Sequence, residues 1–154
     1  MKPLRLKMQA FGSYGKETTI DFEKVNQNLF LITGDTGAGK TTIFDAIVFA
    51  LYGEASSSLN KKEGVVLQSQ YVDFDSEPYV ELVFSEGRDE KREIYTVRRV
   101  PRHLKTITRG ANKGKPKENT GSVSLIMPDG MEYPSKETDR KLQEIVGLTK
   151  SQFM

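Results

Sequence analysis

The sequence contains no cysteine and a single histidine, His103, and these two scarcities exclude several kinds of chemistry. Without cysteine the chain has no disulfide and no thiolate metal site. One histidine rules out histidine-cluster metal sites and nearly all Ser-His or Cys-His catalysis. We therefore expect a reducing compartment. Because His103 lies within a basic stretch, we predict that it is a surface residue and not a ligand.

Long apolar runs are lacking as well. The N-terminus MKPLRLKMQAFGSYG alternates apolar and polar residues, without the apolar centre of a signal peptide, and no stretch is long enough to cross a bilayer. The 154 residues are enough for one domain, with 36% hydrophobic and 29% charged residues. A net charge of +2 does not by itself indicate nucleic-acid binding, so local clustering matters more. We expect a soluble, cytoplasmic chain with no membrane partner.

Alternating apolar residues and turn residues predict an antiparallel framework. The predicted strands are 4–11 paired with 17–22, 79–85 paired with 92–100, and a hairpin over 122–135 that turns at Pro128-Asp129-Gly130. The wholly apolar run LFLIT, at 29–33, predicts a central strand covered on both faces. These segments favour an α/β fold, with a mixed central sheet around one helix and an antiparallel β-meander.

Two helices are predicted between these strands. Residues 41–52 are apolar on nearly every side, which indicates a buried helix ended by Gly53. A last helix, capped by Ser135 or Thr138, would bury one apolar face and stop at Gly147. Its predicted inner residues are Leu142, Ile145 and Val146. Three phenylalanines are predicted to be core residues and not base-stacking platforms, namely Phe11, Phe30 and Phe49.

The segment GDTGAGKTT, at 34–42, matches the P-loop pattern between an apolar run and a helix. Glycines allow the backbone to turn tightly around phosphates, and the amides of residues 37–41 then form an anion-binding nest at the helix N-terminus. We predict that Lys40 reaches the β- and γ-phosphates of ATP, that Thr41 ligates Mg²⁺, and that Thr42 bonds the α-phosphate. The full predicted set is Gly34, Asp35, Thr36, Gly37, Ala38, Gly39, Lys40, Thr41 and Thr42.

An acidic residue at the end of a second apolar strand is missing, although a P-loop NTPase needs one to hold Mg²⁺ and polarise water. The candidates TTIDFE, YVDFDSE and LIMPDG do not fit that pattern. Asp73, Asp75 and Glu77 cluster without metal-site spacing and are predicted to be solvated. We therefore expect no catalytic residue in this chain, weak nucleotide binding by the chain alone, and no turnover.

The segment GDTGAGKTTIFDAIVFALYGEAS, at 34–56, resembles the N-terminal ATPase lobe of the SbcC/Rad50 family, which are SMC-like ABC ATPases. The likeness extends to LKMQAFGSYGKETTIDF at 6–22, LQSQYVDFDSEPYVELVF at 67–84 and LTKSQFM at 148–154. It is weakest over 101–121. In such proteins a coiled coil and a C-terminal lobe follow, and that lobe supplies the signature motif and the catalytic acids.

The resemblance implies that residues 1–154 are one lobe of a split ABC-type head whose cofactors are ATP and Mg²⁺. Implied partners are the C-terminal lobe, a second head in a homodimer, an SbcD/Mre11-like nuclease and double-stranded DNA. The implied role is DNA double-strand break and end processing, in a nucleoid-associated complex. Ser13, in the turn at Gly12, would lie near the nucleotide, and 62–64 would approach the adenine. Some relatives have an arginine where this chain has Gly12.

Residues 101–121 form a basic segment that we predict to be an exposed loop or hairpin tip. Its cations face one acid, Glu118, and attract backbone phosphates without sequence preference. The alternative to DNA contact is a solvated loop, because charge runs are usually solvated and no aromatic residues are interleaved with these cations. The candidate DNA contacts are Arg102, Lys105, Arg109, Lys113, Lys115 and Lys117.

Three alternatives stay open at this point. The chain resembles, less closely, lobes of other SMC-, RecF- or RecN-like DNA ATPases. A stand-alone P-loop kinase or nucleotide-binding module would need a Mg²⁺-binding acid and a substrate lid, and neither is visible. A DNA-binding module with a vestigial P-loop is the third. Nucleotide titration with and without a C-terminal lobe separates these possibilities.

Overall fold

The fold is an α/β arrangement in which one antiparallel sheet is packed against a buried helix. A computed structural model describes residues 1–24, 31–54 and 67–153. The strands are β1 (Lys2–Gln9), β2 (Thr18–Asp21), β3 (Tyr79–Glu86), β4 (Glu93–Val100), β5 (His103–Thr106), β6 (Pro116–Asn119) and β7 (Ser122–Ile126). The helices are α1 (Lys40–Tyr52), α2 (Thr138–Val146) and α3 (Lys150–Phe153), with short 3₁₀ turns at Asp89–Lys91 and Ser135–Glu137.

Five strands form the main sheet in the order β2-β1-β3-β4-β7. Every described pair of strands is antiparallel. The register aligns Leu6, Leu82, Val97 and Leu125 in one row across four strands, and all four side chains are fully buried. Since side chains alternate between faces, this row lies on the face that forms the core, while residues such as Arg5 lie on the opposite, exposed face.

Helix α1 packs its apolar residues into the same core cluster as this row. Eight of its thirteen residues are buried, as expected for a helix that is apolar nearly all round. It ends at Gly53, which has the left-handed conformation typical of a helix C-terminus. Phe11 and Phe49 pack with their ring centroids 5.5 Å apart, which confirms that both are core residues. Phe30 lies outside the described residues.

The buried guanidinium of Arg99, on β4, links the C-terminal end of α1 to α2. Its Nε donates to the carbonyl of Ala50 at 3.1 Å, and its Nη2 donates to Asp139 at 2.7 Å. The cation therefore lies at the negative end of the α1 dipole and also forms an ion pair with α2. These bonds fix the far end of the helix whose first turn follows the glycine loop.

Strands β5 and β6 form a separate two-stranded arm that we call the basic hairpin, residues 103–119. The sequence predicted an exposed loop or hairpin tip over 101–121, and the structure has a hairpin here in which residues 108–118 are exposed. His103 was predicted to be a surface residue, and that prediction is wrong, because its side chain is only 3% exposed. It lies at the base of the arm, whereas Lys105, two residues further along on the same side, is exposed. Position along the arm, and not composition, decides burial here.

Two other predictions need correction. Residues 31–33 do not form a strand, and Leu31 is 85% exposed. A strand needs neighbouring strands for its backbone groups, and none of the described strands pairs with these residues. The predicted cap of α2 is also absent, because the hydroxyl of buried Thr138 donates to the carbonyl of Pro134 at 3.1 Å and Ser135 begins a 3₁₀ turn.

The hairpin predicted over 122–135 is present only in part, because Ser122–Ile126 forms β7 whereas the chain after the turn meets it at one isolated bridge, between Ile126 and Glu132. Several other secondary-structure predictions are confirmed. The α/β class, the paired strands along the chain and the stop of α2 at Gly147 all agree with the structure. Leu142 and Val146 of α2 are buried and Ile145 is half-buried. Asp73, Asp75 and Glu77 are exposed. Within the described ranges, no helix is both long and apolar enough to cross a membrane.

Candidate nucleotide-binding site

The glycine loop turns tightly into the first turn of α1. Gly37 and Gly39 have φ values of 87° and 89°, which disfavour any residue with a Cβ. Gly39 precedes the helix, and a Cβ there would lie 3.0 Å from the ring of Tyr14. Both backbone conformation and space therefore require glycine at position 39. Such a turn directs successive amides toward one point in front of the helix.

The N-terminus of α1 provides a positive electrostatic environment for an anion. The first amides of a helix have no acceptor within the helix, and the helix dipole places partial positive charge at this end. The first turn of α1 contains no acidic residue that would neutralise this charge. Lys40 adds a full cation at the first helical position. The arrangement is therefore suited to binding a phosphate chain.

The ammonium group of Lys40 folds back over the loop. Its Nζ donates to the carbonyl of Asp35 at 2.6 Å and also to the carbonyl of Gly34. The loop is further closed by the amide of Ala38, which donates to the same Asp35 carbonyl at 3.1 Å. Lys40 thus lies across the mouth of the loop, where it can exchange these carbonyls for phosphate oxygens.

The turn after β1, in which the resemblance implies that Ser13 lies near the nucleotide, contacts the start of α1. The hydroxyls of Ser13 and Thr42 lie 3.0 Å apart and share a hydrogen bond. At Gly12 a Cβ would lie 2.6 Å from Cγ2 of Thr42, so a side chain at this position requires Thr42 to move. A bulky arginine, as in some relatives, is therefore not accommodated in this geometry.

A cavity of about 300 Å³ opens beside this contact, at the start of α1. Its walls combine Ser13 and Thr42 with several residues that sequence reasoning did not assign to the site. These are Phe11, Asp45, Leu67, Gln68, Gln70 and Tyr71. The helical spacing could have indicated Asp45, because it is three residues after Thr42 and hence on the same face. The residues from 67–71 carried no such signal, since only the tertiary fold brings them here.

Thr41 is exposed at the helix start, where its hydroxyl can supply one oxygen ligand to Mg²⁺. Within 1–24, 31–54 and 67–153, no group of three or more acidic or histidine side chains could hold a metal ion. Mg²⁺ is commonly bound by one or two protein groups together with phosphates and water. The described residues therefore fit Mg²⁺ only as part of a nucleotide complex. The segment 62–64, predicted near the adenine, lies outside the described residues.

The basic hairpin presents its cations to solvent. Lys105 and Lys117 are directly opposite one another across β5 and β6. Arg102 pairs with Glu118, and Lys115 donates to Asn112 at 3.2 Å. Arg109 and Lys113 are exposed in the turn that joins the strands. Five of the six predicted cations therefore lie on one exposed arm, and Arg102 directly precedes it.

Comparisons with known proteins agree with this geometry. The profile of the family described as "AAA domain" matches residues 5–153. The SbcC component of the SbcCD nuclease from Staphylococcus epidermidis is 58% identical over 74 residues, which cover 47% of this chain and 7% of that protein. The corresponding component from Vibrio cholerae is 34% identical over 157 residues, which cover 99% of this chain and 15% of that protein. The chain thus spans a small part of the curated relatives that it matches.

A solved structure shares the fold. It comes from "Structural biochemistry of ATP-driven dimerization and DNA stimulated activation of SMC ATPases" and aligns with a TM-score of 0.59 at 20% identity. The alignment covers 97% of this chain and 81% of that chain. At this identity the match is evidence for the fold alone. Nearly the whole sequence is thus similar to a part of the SbcC relatives. Because the family profile also covers nearly the whole sequence, the chain belongs to the AAA-domain family.

Proposed function

We propose that the chain is the ATP-binding lobe of an SbcC-like ATPase that acts with a nuclease in DNA-end processing. The observation that carries the proposal is the glycine loop at the start of α1, with Lys40 across its mouth and Thr41 and Thr42 beside it. Relatives named as components of a nuclease support the nuclease partner. Mg-ATP would bind with its phosphates at residues 34–42.

Exposed apolar residues near the loop support a packing partner. Leu31 is 85% exposed, and Ile32 and Phe44 are about two fifths exposed. Leu31 and Ile32 immediately precede the loop, and Phe44 lies in the first turns of α1. Apolar side chains that stay exposed beside a functional site are candidates for contact with a partner. We propose that a C-terminal lobe of the same ATPase covers these residues, and that a second head completes the ATP site.

We propose that ATP hydrolysis needs the C-terminal lobe and the second head. No acidic cluster that could hold a metal is found in the described part of the chain. Lys40 and the loop amides can neutralise phosphate charge, but activation of water needs a positioned base or orienting group. We propose that this chain binds nucleotide weakly and is inactive by itself, whereas the assembled head hydrolyses ATP.

The basic hairpin is proposed to contact the backbone of duplex DNA. Lys105 and Lys117 face each other across the strands, an arrangement that is unfavourable unless an anion lies between or near them. A phosphate backbone meets this requirement, and its recognition requires no base contacts. A nucleoid-associated, cytoplasmic location follows from this role.

The test of the proposed function is a calorimetric titration of Mg-ATP into the chain, with and without a separately produced C-terminal lobe of this ATPase. We expect weak binding by the chain alone, together with tighter binding and hydrolysis in the mixture. A chain that hydrolyses ATP by itself would instead be a complete P-loop enzyme. If neither the chain nor the mixture binds ATP, the chain would instead be a DNA-binding module with a vestigial loop.

A further inference from the structure

The side chain of Gln68 attaches the basic hairpin to the body of the protein. Its Oε1 accepts from the amide of Leu104 at 2.9 Å, and its Nε2 donates to the carbonyl of Leu104 at 3.0 Å. One side-chain amide therefore satisfies both main-chain groups of a residue in β5, as a neighbouring strand would. The Gln68 side chain is buried and its two bonds are partly buried, which limits competition from water.

The main chain around Gln68 is in turn held to the turn that contacts the nucleotide-binding helix. The amide of Gly12 donates to the carbonyl of Leu67 at 2.9 Å, and the amide of Ser69 donates to the carbonyl of Ala10 at 2.7 Å. The next residue in that turn is Ser13, which shares its hydrogen bond with Thr42. A continuous set of hydrogen bonds thus runs from the start of α1, through this turn and Gln68, to the hairpin.

At the α1 side, this set of hydrogen bonds borders the cavity beside Thr42, where a ligand could contact it. Thr42, Ser13 and Gln68 all line it, so a molecule that fills the cavity contacts both the helix start and the residue that holds β5. The other end carries charge, because the segment 101–121 has six cations and one acid. A ligand affects a distant site only where it interacts differently with two arrangements of the connecting element. Gln68 is the side chain that both sites share.

We propose that Gln68 is a positioning residue that links nucleotide occupancy beside Thr42 to the placement of the basic hairpin. Mg-ATP that orders Gln68 would fix β5 and tighten the binding of duplex DNA, and DNA would tighten the binding of Mg-ATP by the same factor. The inference rests on the proposed function, since it requires that the loop bind ATP and that the hairpin bind DNA.

The experiment measures the dissociation constant of a fluorescent 30-base-pair duplex by anisotropy, with and without millimolar Mg-ATP. The proteins are the 154-residue chain, Gln68→Met, which keeps the side-chain length but removes both bonds to Leu104, and Gln68→Glu, which keeps only the acceptor. Gln9→Ala is the matched control, because it removes a glutamine bond to a main-chain carbonyl, that of Glu77, away from the hairpin.

We expect Mg-ATP to tighten DNA binding at least about fivefold in the wild type and in Gln9→Ala. The ratio should fall to about one in Gln68→Met and to an intermediate value in Gln68→Glu. Hydrogen exchange at the Leu104 amide should be about tenfold faster in Gln68→Met only. If Gln68→Met does not fold, the ratio measured for Gln68→Glu tests the role of Gln68 instead.

The outcomes separate this inference from the proposed function. A wild-type chain that binds both ligands without any effect of one on the other overturns the linkage and leaves the proposed function intact. A linkage that persists unchanged in the Gln68 variants overturns the role of Gln68 alone. A wild-type chain that binds no Mg-ATP, or no DNA, overturns the linkage together with the corresponding part of the proposed function.

Discussion

The glycine loop and the basic hairpin are both exposed and both suited to bind anions, yet they attract an anion in different ways. In the loop, backbone amides, a helix dipole and one lysine converge on a point, and Gly37 and Gly39 hold the geometry in place. In the hairpin, several side chains share an arm with no fixed point of convergence. The loop is therefore suited to a compact ligand of defined shape, and the hairpin to an extended polyanion.

This difference has measurable consequences. A site built from converging amides loses most of its affinity when one central group is removed, and salt weakens it little because the contacts are short and specific. A site built from exposed lysines loses affinity in small steps, and salt weakens it steeply. Four variants, ordered from the largest expected effect to the smallest, test whether the two regions differ as described.

Lys40→Ala should have the largest effect, lowering Mg-ATP affinity about 100-fold. The substitution removes a cation that donates charge-assisted hydrogen bonds, each worth about 1.5–3 kcal/mol. DNA affinity without ATP should remain within about twofold. Isothermal titration calorimetry measures the first quantity and fluorescence anisotropy the second. Lys136→Ala, at an exposed lysine outside both regions, serves as the control. Retained ATP binding would show that the loop is not the phosphate site.

Replacing Lys105, Lys115 and Lys117 with glutamine should weaken DNA binding about tenfold near 0.1 M salt. The slope of log affinity against log salt should become shallower by about 2.7, because three phosphate contacts are lost. Mg-ATP affinity in the absence of DNA should not change. The hairpin should stay folded, since the change removes the unfavourable pairing of Lys105 with Lys117. An unchanged slope would eliminate the hairpin as the DNA contact.

Gly12→Ala should lower Mg-ATP affinity about fivefold, because the new methyl group displaces Thr42, which lies 2.6 Å away. The control is Gly130→Ala. Both glycines have positive φ, but no atom lies within 4 Å of a Cβ at Gly130. Both variants should lose about 1 kcal/mol of unfolding free energy from backbone strain, measured in urea. Equal ATP affinity in the two variants would mean that the Thr42 contact does not matter for binding.

Tyr79→Phe, in strand β3, should leave both ligand affinities unchanged and affect stability and its dependence on pH. Burial, and then the hydrogen bond to Glu17, raises the pKa of Tyr79 to about 12, although Arg98 opposes the shift. Because the pKa is higher in the folded state than in the unfolded state, its contribution to stability is fully present below pH 10. That contribution is lost as pH rises from 10 toward 12. The variant should lose about 1 kcal/mol at pH 8 and show a flatter decline above pH 10 in urea unfolding. A decline as steep as that of the wild type would contradict the assignment.

Local sequence signals predicted the elements whose structure depends on local interactions. The glycine loop, helix α1 and its stop at Gly53 were predicted because glycine positions and apolar periodicity determine them within a few residues. The run at 29–33 was predicted as a strand because it is apolar, but 31–33 have no strand neighbour in the described chain. Burial of His103 depends on where the arm joins the body, which composition does not encode.

The candidate site could likewise be predicted from the sequence only in part. Residues 34–42 and Ser13 were assigned from a motif and a resemblance, and the structure brings Ser13 to Thr42. The segment 67–71 joins the same cavity from more than twenty residues away in sequence, and no motif marks it. The pairing of Gln68 with Leu104 spans 36 positions and depends on the packing of the arm. Such contacts are properties of the tertiary fold.

The position of the Lys40 ammonium also affects how strongly the site competes for nucleotide. The carbonyls of Gly34 and Asp35 compete with phosphate for the Lys40 ammonium. Because they belong to the same chain, they are present at a high effective concentration. A phosphate must displace them, so the measured affinity is the intrinsic affinity divided by the strength of this internal competition. A triphosphate that also engages the loop amides would offset this competition better than a chloride ion, which makes fewer contacts.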